Sequence, residues 1–378
     1  MGIKNCENIA QCNERNIGIE LLRIVAMLMV VILHILGTGG IVNYSCETIS
    51  LNGEIAWLLR IASFGAVNLY ALTTGYVCIK AKHRWSRILE LWAQVAFYSV
   101  LFTGIAFLIP QSSTGTKELV KSFLPVMTGQ YWYFSAYFCL FLFIPFLNIL
   151  ISNLSKQQHK KLIFICFCAF CGISFIGLSM NFDAFMVNGG YSFIWLAVLY
   201  VVGAYLKLYQ QDFNKCNKNR YLLIYLVCIC LTWLSKVLIA TMEMKLFNET
   251  KRPLMFVSYI SPLIVLGAIA LFVFFSQLNF NRGKSLILHL ASVSFGVYLI
   301  SEQANFREFI IKNRFADLAT LPWYLMIFWV LACAVTIYLV CSFVDYLRKT
   351  LFKWLHIRSL CEKIISGTKK AFVKILNK

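Results

Sequence analysis

Residues 17–37 read IGIELLRIVAMLMVVILHILG, and this stretch decides the class of fold. About 20 residues at a rise of 1.5 Å span the ~30 Å hydrocarbon core of a bilayer, so the stretch predicts a membrane-spanning helix. It nevertheless carries three ionisable side chains, Glu20, Arg23 and His34. Arg23 and His34 lie about 20° apart around such a helix and ~16 Å apart along it, and Glu20 shares their face.

The polar face of this helix predicts the wall of an internal path, because an ionisable group in hydrocarbon costs several kcal/mol unless it faces protein or water. For Glu20 and Arg23 a second interpretation is open, since residues three apart can pair with each other near the headgroups. His34 has no such partner in its own helix. The alternative for His34 is a hydrogen bond to the backbone of a neighbouring helix.

The composition is that of a polytopic, all-α membrane protein. Charged residues make up 13% of the chain, against roughly 25% in soluble domains, and the mean hydropathy is +0.73. A net charge of +19 would suggest nucleic acid in a soluble protein. Here Lys and Arg that flank membrane helices on the cytoplasmic side account for it. We therefore expect the lipid bilayer as a partner and no nucleic acid.

Apolar stretches predict about ten transmembrane helices, near 17–37, 55–79, 88–110, 131–152, 162–180, 191–209, 221–241, 256–276, 285–303 and 321–346. With the amino terminus inside, the inside segments hold a roughly threefold excess of Lys and Arg. The pattern predicts a multi-pass protein of the cell membrane with both termini cytoplasmic. We divide the chain into a cytoplasmic segment 1–16, a membrane domain 17–347, and a basic amphipathic cytoplasmic tail 348–378 that lies on the inner leaflet.

Other polar residues inside the apolar stretches have simpler explanations. Cys166, Cys168 and Cys171 could suggest metal ligands, but a two-residue spacing turns helical side chains ~200° apart. We expect these thiols to pack and expect no metal site. Arg60 and Lys236 also lie within predicted helices, and we expect both to snorkel toward an interface.

The order of several motifs resembles the acyltransferase 3 family of membrane-bound enzymes, which O-acylate cell-surface sugars. The resemblance covers roughly residues 15–345 and includes one departure, Thr74 where serine is usual. The matching stretches are Arg23 and His34 with ten residues between them, Leu69-Tyr-Ala-Leu-Thr-Thr-Gly-Tyr76, Arg84-Trp-Ser-Arg87, Tyr131-Trp-Tyr-Phe-Ser-Ala-Tyr137 running on to Pro145, and Gly190-Tyr-Ser-Phe-Ile-Trp-Leu-Ala-Val-Leu-Tyr200 with Gly203.

The resemblance implies a catalytic role for Arg23 and His34, and Glu20 would line the path of the substrate. His34 lies seventeen residues into its helix, ~25 Å from the cytoplasmic end. A neutral imidazole there can take a proton from a sugar hydroxyl that attacks a thioester.

A second catalytic candidate comes from a departure from the family. In many members the helix that resembles Ser294-Phe-Gly-Val-Tyr-Leu-Ile300 ends in a histidine, whereas this chain has Ser301 and Glu302. Counting helices places Glu302 on the outer side, level with His34, where a carboxylate can orient the imidazole. A solvated helix end is the alternative.

Binding residues follow from the same resemblance. Arg84 and Arg87 would bind acyl-CoA, because guanidinium groups suit phosphates; the alternative is that they only anchor the topology. Trp132 and Tyr137 would stack on a sugar, although an interfacial aromatic belt is the commoner role.

The predicted function is transfer of an acyl group, which we expect to be acetyl, from cytoplasmic acyl-CoA. The expected acceptor is a hydroxyl of a cell-envelope polysaccharide or lipid-linked saccharide. The alternative is a polysaccharide exporter, because the same polar face would line a transport path.

Overall fold

The computed structural model describes residues 15–42, 46, 49–110, 112, 114–280 and 282–376. Most of the predicted segment 1–16 therefore lies outside the described residues. The described part of the chain is helical and contains no strand. Its α-helices are α1 Ile17–Leu36, α2 Leu51–Ser63, α3 Ala66–Cys78, α4 Ser86–Phe107, α5 Thr116–Ser122, α6 Trp132–Ser152, α7 Lys156–Cys166, α8 Ser174–Ser179, α9 Phe193–Leu208, α10 Gln210–Asn214, α11 Lys218–Phe247, α12 Pro262–Ser276, α13 Lys284–Ser301, α14 Ala304–Phe306, α15 Trp323–Trp354 and α16 Ile357–Leu376.

Helix α1 lies at the centre of the bundle and packs against α2, α3, α12, α13 and α15. It begins at a side-chain cap, since Asn16 accepts a hydrogen bond from the Ile19 N–H and donates one to the Ser276 carbonyl. Gly18 lies so close to α12 that a Cβ atom there would meet the Phe275 carbonyl oxygen at 1.9 Å. The apolar stretch at 17–37 therefore forms the central helix of the bundle.

The helices fit a multi-pass membrane protein, but the described residues do not confirm ten spans. Among the described residues, eight helical segments are long and apolar enough to cross a bilayer. A ninth is formed only if α9 is joined to the short helical segment before it, from which it is bent by 77°. The remaining predicted span, 256–276, contains α12, which has 15 residues. Apolar length in the sequence does not reveal such bends and shortened helices.

Helices α3 and α9 cross in direct backbone contact, and glycines allow it. A Cβ atom on Gly75 would meet the Tyr200 carbonyl oxygen at 2.1 Å, and one on Gly203 would meet the Leu72 carbonyl oxygen at 2.1 Å. Both glycines belong to motifs singled out in the sequence. Their position shows that they allow α3 and α9 to pack closely. This packing holds α3 and the loop after it in place.

The predicted boundary at 348 falls inside a helix. Helix α15 continues to Trp354, and α16 begins after a break at His356, which has a φ of 53°. Arg348 forms an ion pair with the fully buried Asp345, whose carboxylate also accepts hydrogen bonds from Gln94 and Tyr98. This network joins α15 to α4.

We predict that Gly203→Ala lowers the stability of the protein. The added methyl group meets backbone atoms that cannot rotate away, and overpacking of this kind costs about 1–3 kcal/mol. The measurement is the apparent melting temperature of the purified protein in detergent. Gly104→Ala is the matched control, because nothing lies within 4 Å of a Cβ atom at this position in α4. Equal melting temperatures for the two variants would contradict this account of the crossing.

Candidate active site

His34 and Glu302 lie in contact where α1 and α13 end. The Nε2 atom of His34 is 2.7 Å from Oε2 of Glu302, and Arg307 Nη1 is 3.1 Å from Oε1 of the same carboxylate. Burial raises the pKa of Glu302, but the hydrogen bond and charge of His34, together with the charge of Arg307, outweigh burial and lower it. An ionised carboxylate accepts the Nε2 proton of a neutral imidazole, so the lone pair of the ring is then on Nδ1.

The Nδ1 atom of His34 is buried and has no hydrogen-bond partner among the described residues. Buried polar atoms are nearly always hydrogen-bonded, and a catalytic role and an ordered water are among the explanations for an exception. A substrate hydroxyl that donates to Nδ1 would satisfy it. A carboxylate that fixes the tautomer of a histidine in this way is an arrangement that a general base can use.

Glu20 and Arg23 pair with each other, at 2.7 Å between Arg23 Nη1 and Glu20 Oε2. The pair faces the bundle, because Glu20 is only 12% exposed and the hydroxyl of Tyr70 donates a 2.7 Å hydrogen bond to the backbone carbonyl of Arg23. Of the two interpretations that the sequence left open, the ion pair is present. It also lines the polar side of α1 toward α3.

Tyrosine side chains occupy the region between Arg23 and the His34–Glu302 pair. The rings of Tyr70 and Tyr133 are 6.3 Å apart, and those of Tyr133 and Tyr298 are 6.1 Å apart. Tyr298 lies close enough to Glu302 to interact with its charge. Tyr70 and Tyr133 are partly buried and pack against both apolar clusters of the bundle. We call these three residues the tyrosine row.

Tyr137 lies beside the tyrosine row, within electrostatic range of Tyr133, Arg23 and Arg87. Its position inside the bundle differs from that of a residue in an interfacial belt. Arg87 is 52% exposed and pairs with Glu90 at 3.2 Å, just after the exposed Arg84. The two arginines therefore stand at an exposed end of the region that Tyr137 borders.

Trp132 lies in an aromatic cluster near the other end. Its ring centroid is 4.5 Å from that of Tyr191 and 6.2 Å from that of Tyr259. Tyr191 is 46% exposed, whereas Tyr259 is buried and close enough to Glu302 and Arg60 to interact with their charges. The cluster joins an exposed surface to the His34–Glu302 pair.

The prediction that Lys236 snorkels is wrong, because its partner lies inside the protein, whereas the same prediction for the partly exposed Arg60 stays a prediction. Lys236 is 2% exposed and forms an ion pair with Glu54, which also accepts a 3.0 Å hydrogen bond from Trp233 Nε1. Arg60 donates a 3.1 Å hydrogen bond to the Leu33 carbonyl, one residue before His34.

The cysteines of the 166–171 stretch lie around a π-helical segment, Phe167–Ile173. Cys171 is buried and donates its S–H to the Ile260 carbonyl, whereas Cys168 is exposed. Within the part of the chain that the structure describes, no three His, Cys, Asp or Glu side chains converge on a possible metal position.

These features define a helical protein that fits a multi-pass membrane protein and that holds a histidine–carboxylate pair where α1 and α13 end. The sequence model of the acyltransferase 3 family, described as an acyltransferase domain, matches residues 16–345. The chain therefore belongs to the acyltransferase 3 family. Neither a curated protein nor a solved structure matches the chain.

Sequence reasoning missed the tyrosine row and the partner of Lys236. A weak signal for the row exists, because Tyr70, Tyr133 and Tyr298 all lie in stretches that matched family motifs. No local signal links Glu54 to Lys236, since the two residues are 182 positions apart.

We predict that Lys236→Met destabilises the protein by about 3–5 kcal/mol, because it leaves the Glu54 carboxylate buried without its cation. Glu54→Gln combined with Lys236→Met should restore most of that stability, since no unpaired charge then remains. Thermal unfolding of the two variants and the wild type provides the measurement.

Lys251→Met is the matched control for the Lys236 experiment, because Lys251 is 57% exposed in its ion pair with Glu249. We expect this control to unfold like the wild type. The account fails if the double variant is no more stable than Lys236→Met.

Proposed function

We propose that the protein transfers an acyl group from acyl-CoA to a hydroxyl of a cell-envelope saccharide. The observation that carries this proposal is the contact between His34 Nε2 and Glu302, with Nδ1 of the same ring buried and unpartnered among the described residues. Membership of the acyltransferase 3 family supports acyl transfer as the reaction class.

In the proposed reaction, the acceptor hydroxyl donates its proton to Nδ1 of His34 while its oxygen attacks the thioester carbonyl carbon. Glu302 stabilises the imidazolium that forms. The tetrahedral intermediate then collapses, the carbon–sulfur bond breaks, and the leaving thiolate takes the proton from His34. The products are the ester and free coenzyme A, and His34 returns to its neutral form.

The donor is proposed to bind at Arg84 and Arg87. Their guanidinium groups suit the phosphates of coenzyme A, and their exposed position keeps those phosphates in water. The pantetheine arm would run past Tyr137 and the tyrosine row. The acyl group, expected to be acetyl, would reach His34 without the phosphates crossing the membrane.

The acceptor is proposed to bind at the aromatic cluster of Trp132, Tyr191 and Tyr259. Sugar rings stack on aromatic faces, and the exposed ring of Tyr191 makes the cluster reachable from outside the bundle. We propose that this end faces the cell exterior and that Arg84 and Arg87 face the cytoplasm, as the distribution of basic residues predicts. The protein would then be a multi-pass enzyme of the cell membrane with both termini inside.

We predict that His34→Ala lowers the rate of acyl transfer ~10²–10⁴-fold, which is the usual contribution of a general base. Glu302→Gln should lower kcat at least ~10²-fold, because the imidazolium then lacks its counter-charge. The measurement is transfer of radiolabelled acetyl from acetyl-CoA to cell-envelope fractions by the purified protein in lipid.

His289→Ala is the control for this experiment, because His289 lies on the exposed first half of α13, where its ring packs on Tyr346. It should retain wild-type activity. Full activity of a folded His34→Ala variant would refute the proposed mechanism.

We predict that Arg84→Lys and Arg87→Lys each raise the apparent KM for acyl-CoA and leave the KM for the acceptor unchanged. A lysine keeps the charge but loses the planar fork that contacts phosphate through two N–H groups. Initial rates at varied donor concentration test this prediction, with Arg220→Lys as an exposed control. If the KM for the donor is unchanged in both variants, the two arginines do not bind the donor and only help to set the orientation in the membrane.

A further inference from the structure

A buried hydroxyl group without a hydrogen-bond partner lies one helical turn before Glu302. Tyr298 is 7% exposed, and its hydroxyl oxygen has no hydrogen-bond partner within the described part of the chain. The centroid of its ring is 6.1 Å from that of Tyr131 and 6.1 Å from that of Tyr133. Buried hydroxyl groups are nearly always paired, because an unpaired one has lost its hydrogen bonds to water without replacement. Tyr298 therefore differs from an ordinary core tyrosine.

The amino-terminal end of α6 lies beside this hydroxyl group. No side chain caps α6, so its first backbone N–H groups have a partner neither within the helix nor from a cap. The Tyr298 hydroxyl lies near one of them, the N–H of Tyr133. Tyr131, the residue before α6, donates its own hydroxyl to the Leu299 carbonyl at 3.1 Å and so ties this end of α6 to α13. The N–H groups and the helix dipole favour negative charge at this position.

The region of the His34–Glu302 pair thus contains two unpartnered polar atoms, one acceptor and one donor. Nδ1 of His34 carries a lone pair when Glu302 accepts the Nε2 proton, and the Tyr298 hydroxyl carries a hydrogen. Tyr298 precedes Glu302 by four residues, so it lies about 6 Å further along α13 toward the side from which the donor is proposed to arrive. In the proposed reaction, the acceptor hydroxyl needs a base and the thioester carbonyl oxygen needs a donor.

We propose that Tyr298 is a further catalytic residue, whose hydroxyl donates a hydrogen bond to the thioester carbonyl oxygen as that oxygen becomes negative. When the acceptor oxygen bonds to the carbonyl carbon, the π electrons of the C=O bond move to this oxygen. The Tyr298 O–H and the N–H groups at the start of α6 then stabilise the charge. The electrons return to the C=O bond as the carbon–sulfur bond breaks, and Tyr298 keeps its proton throughout. This role rests on the proposed acyl transfer, since it belongs to a step of that reaction.

The test removes one oxygen atom from Tyr298 and, as a matched control, one from its paired neighbour Tyr131. Tyr298→Phe should lower kcat ~10²–10³-fold, the usual cost of losing one oxyanion donor, and leave the KM for acyl-CoA nearly unchanged. It should not lower the melting temperature, because no hydrogen bond of the resting protein is lost. Tyr131→Phe loses the hydrogen bond to Leu299, so it should melt at a lower temperature and keep a kcat near that of the wild type.

The measurements are initial rates of radiolabelled acetyl transfer and thermal unfolding of the full-length protein in lipid. Acetyl transfer by the wild type and its loss in His34→Ala test the proposed function in the same assay, so a failure of that function is recognised independently of Tyr298.

A wild-type kcat in Tyr298→Phe, in an assay where His34→Ala is inactive, overturns the role of Tyr298 and leaves acyl transfer standing. A lower melting temperature of Tyr298→Phe also overturns it, because the hydroxyl would then be a structural hydrogen-bonding group. So does an equal loss of kcat in Tyr131→Phe, because the effect would then not be specific to the unpartnered hydroxyl.

Discussion

An ionised side chain in an apolar bundle costs several kcal/mol unless a partner neutralises it, and this cost constrains how the helices of this protein can pack. Lys236 neutralises Glu54 across two helices. Arg307 and Arg348 neutralise Glu302 and Asp345, and hydrogen bonds from His34 to Glu302 and from Gln94 and Tyr98 to Asp345 connect these carboxylates to other helices. Each contact fixes the relative height of two neighbouring helices, which apolar packing alone would allow to slide past each other. The ionic groups therefore specify which helices meet and at what height.

Helix α1 is the element on which this constraint acts most strongly. Its first turns hold the Glu20–Arg23 pair, its last turn holds His34, and apolar residues bury the rest against five neighbouring helices. One helix thus brings a cation near one end of the bundle and an imidazole near the other. The tyrosine row between them adds hydroxyl groups to the apolar packing.

Much of this arrangement could be predicted from sequence, and the reason is physical. A polar face on one long apolar helix has few explanations, so the pattern within that helix alone singles out Arg23 and His34. Counting helices from the other end of the chain brought Glu302 to the level of His34, and the two side chains are in contact. Whether they are catalytic remains a prediction.

Features that depend on distant pairs or on backbone geometry could not be predicted. The snorkelling of Lys236 was the wrong expectation because its partner, Glu54, belongs to a helix far away in sequence. Fewer than ten described helices are long enough to cross a bilayer, because α9 is bent away from the segment before it and α12 is short. Hydropathy along the sequence shows neither the direction of a helix nor where it bends.

We propose that the acyl group travels along α1, from a donor in the cytoplasm to an acceptor outside. Sealed vesicles of known orientation test it most directly, with radiolabelled acetyl-CoA and a membrane-impermeant saccharide acceptor. Acetyl-CoA on the cytoplasmic face should label acceptor only when that acceptor is on the opposite side of the membrane. Labelling of acceptor that shares the donor's compartment would contradict the claim.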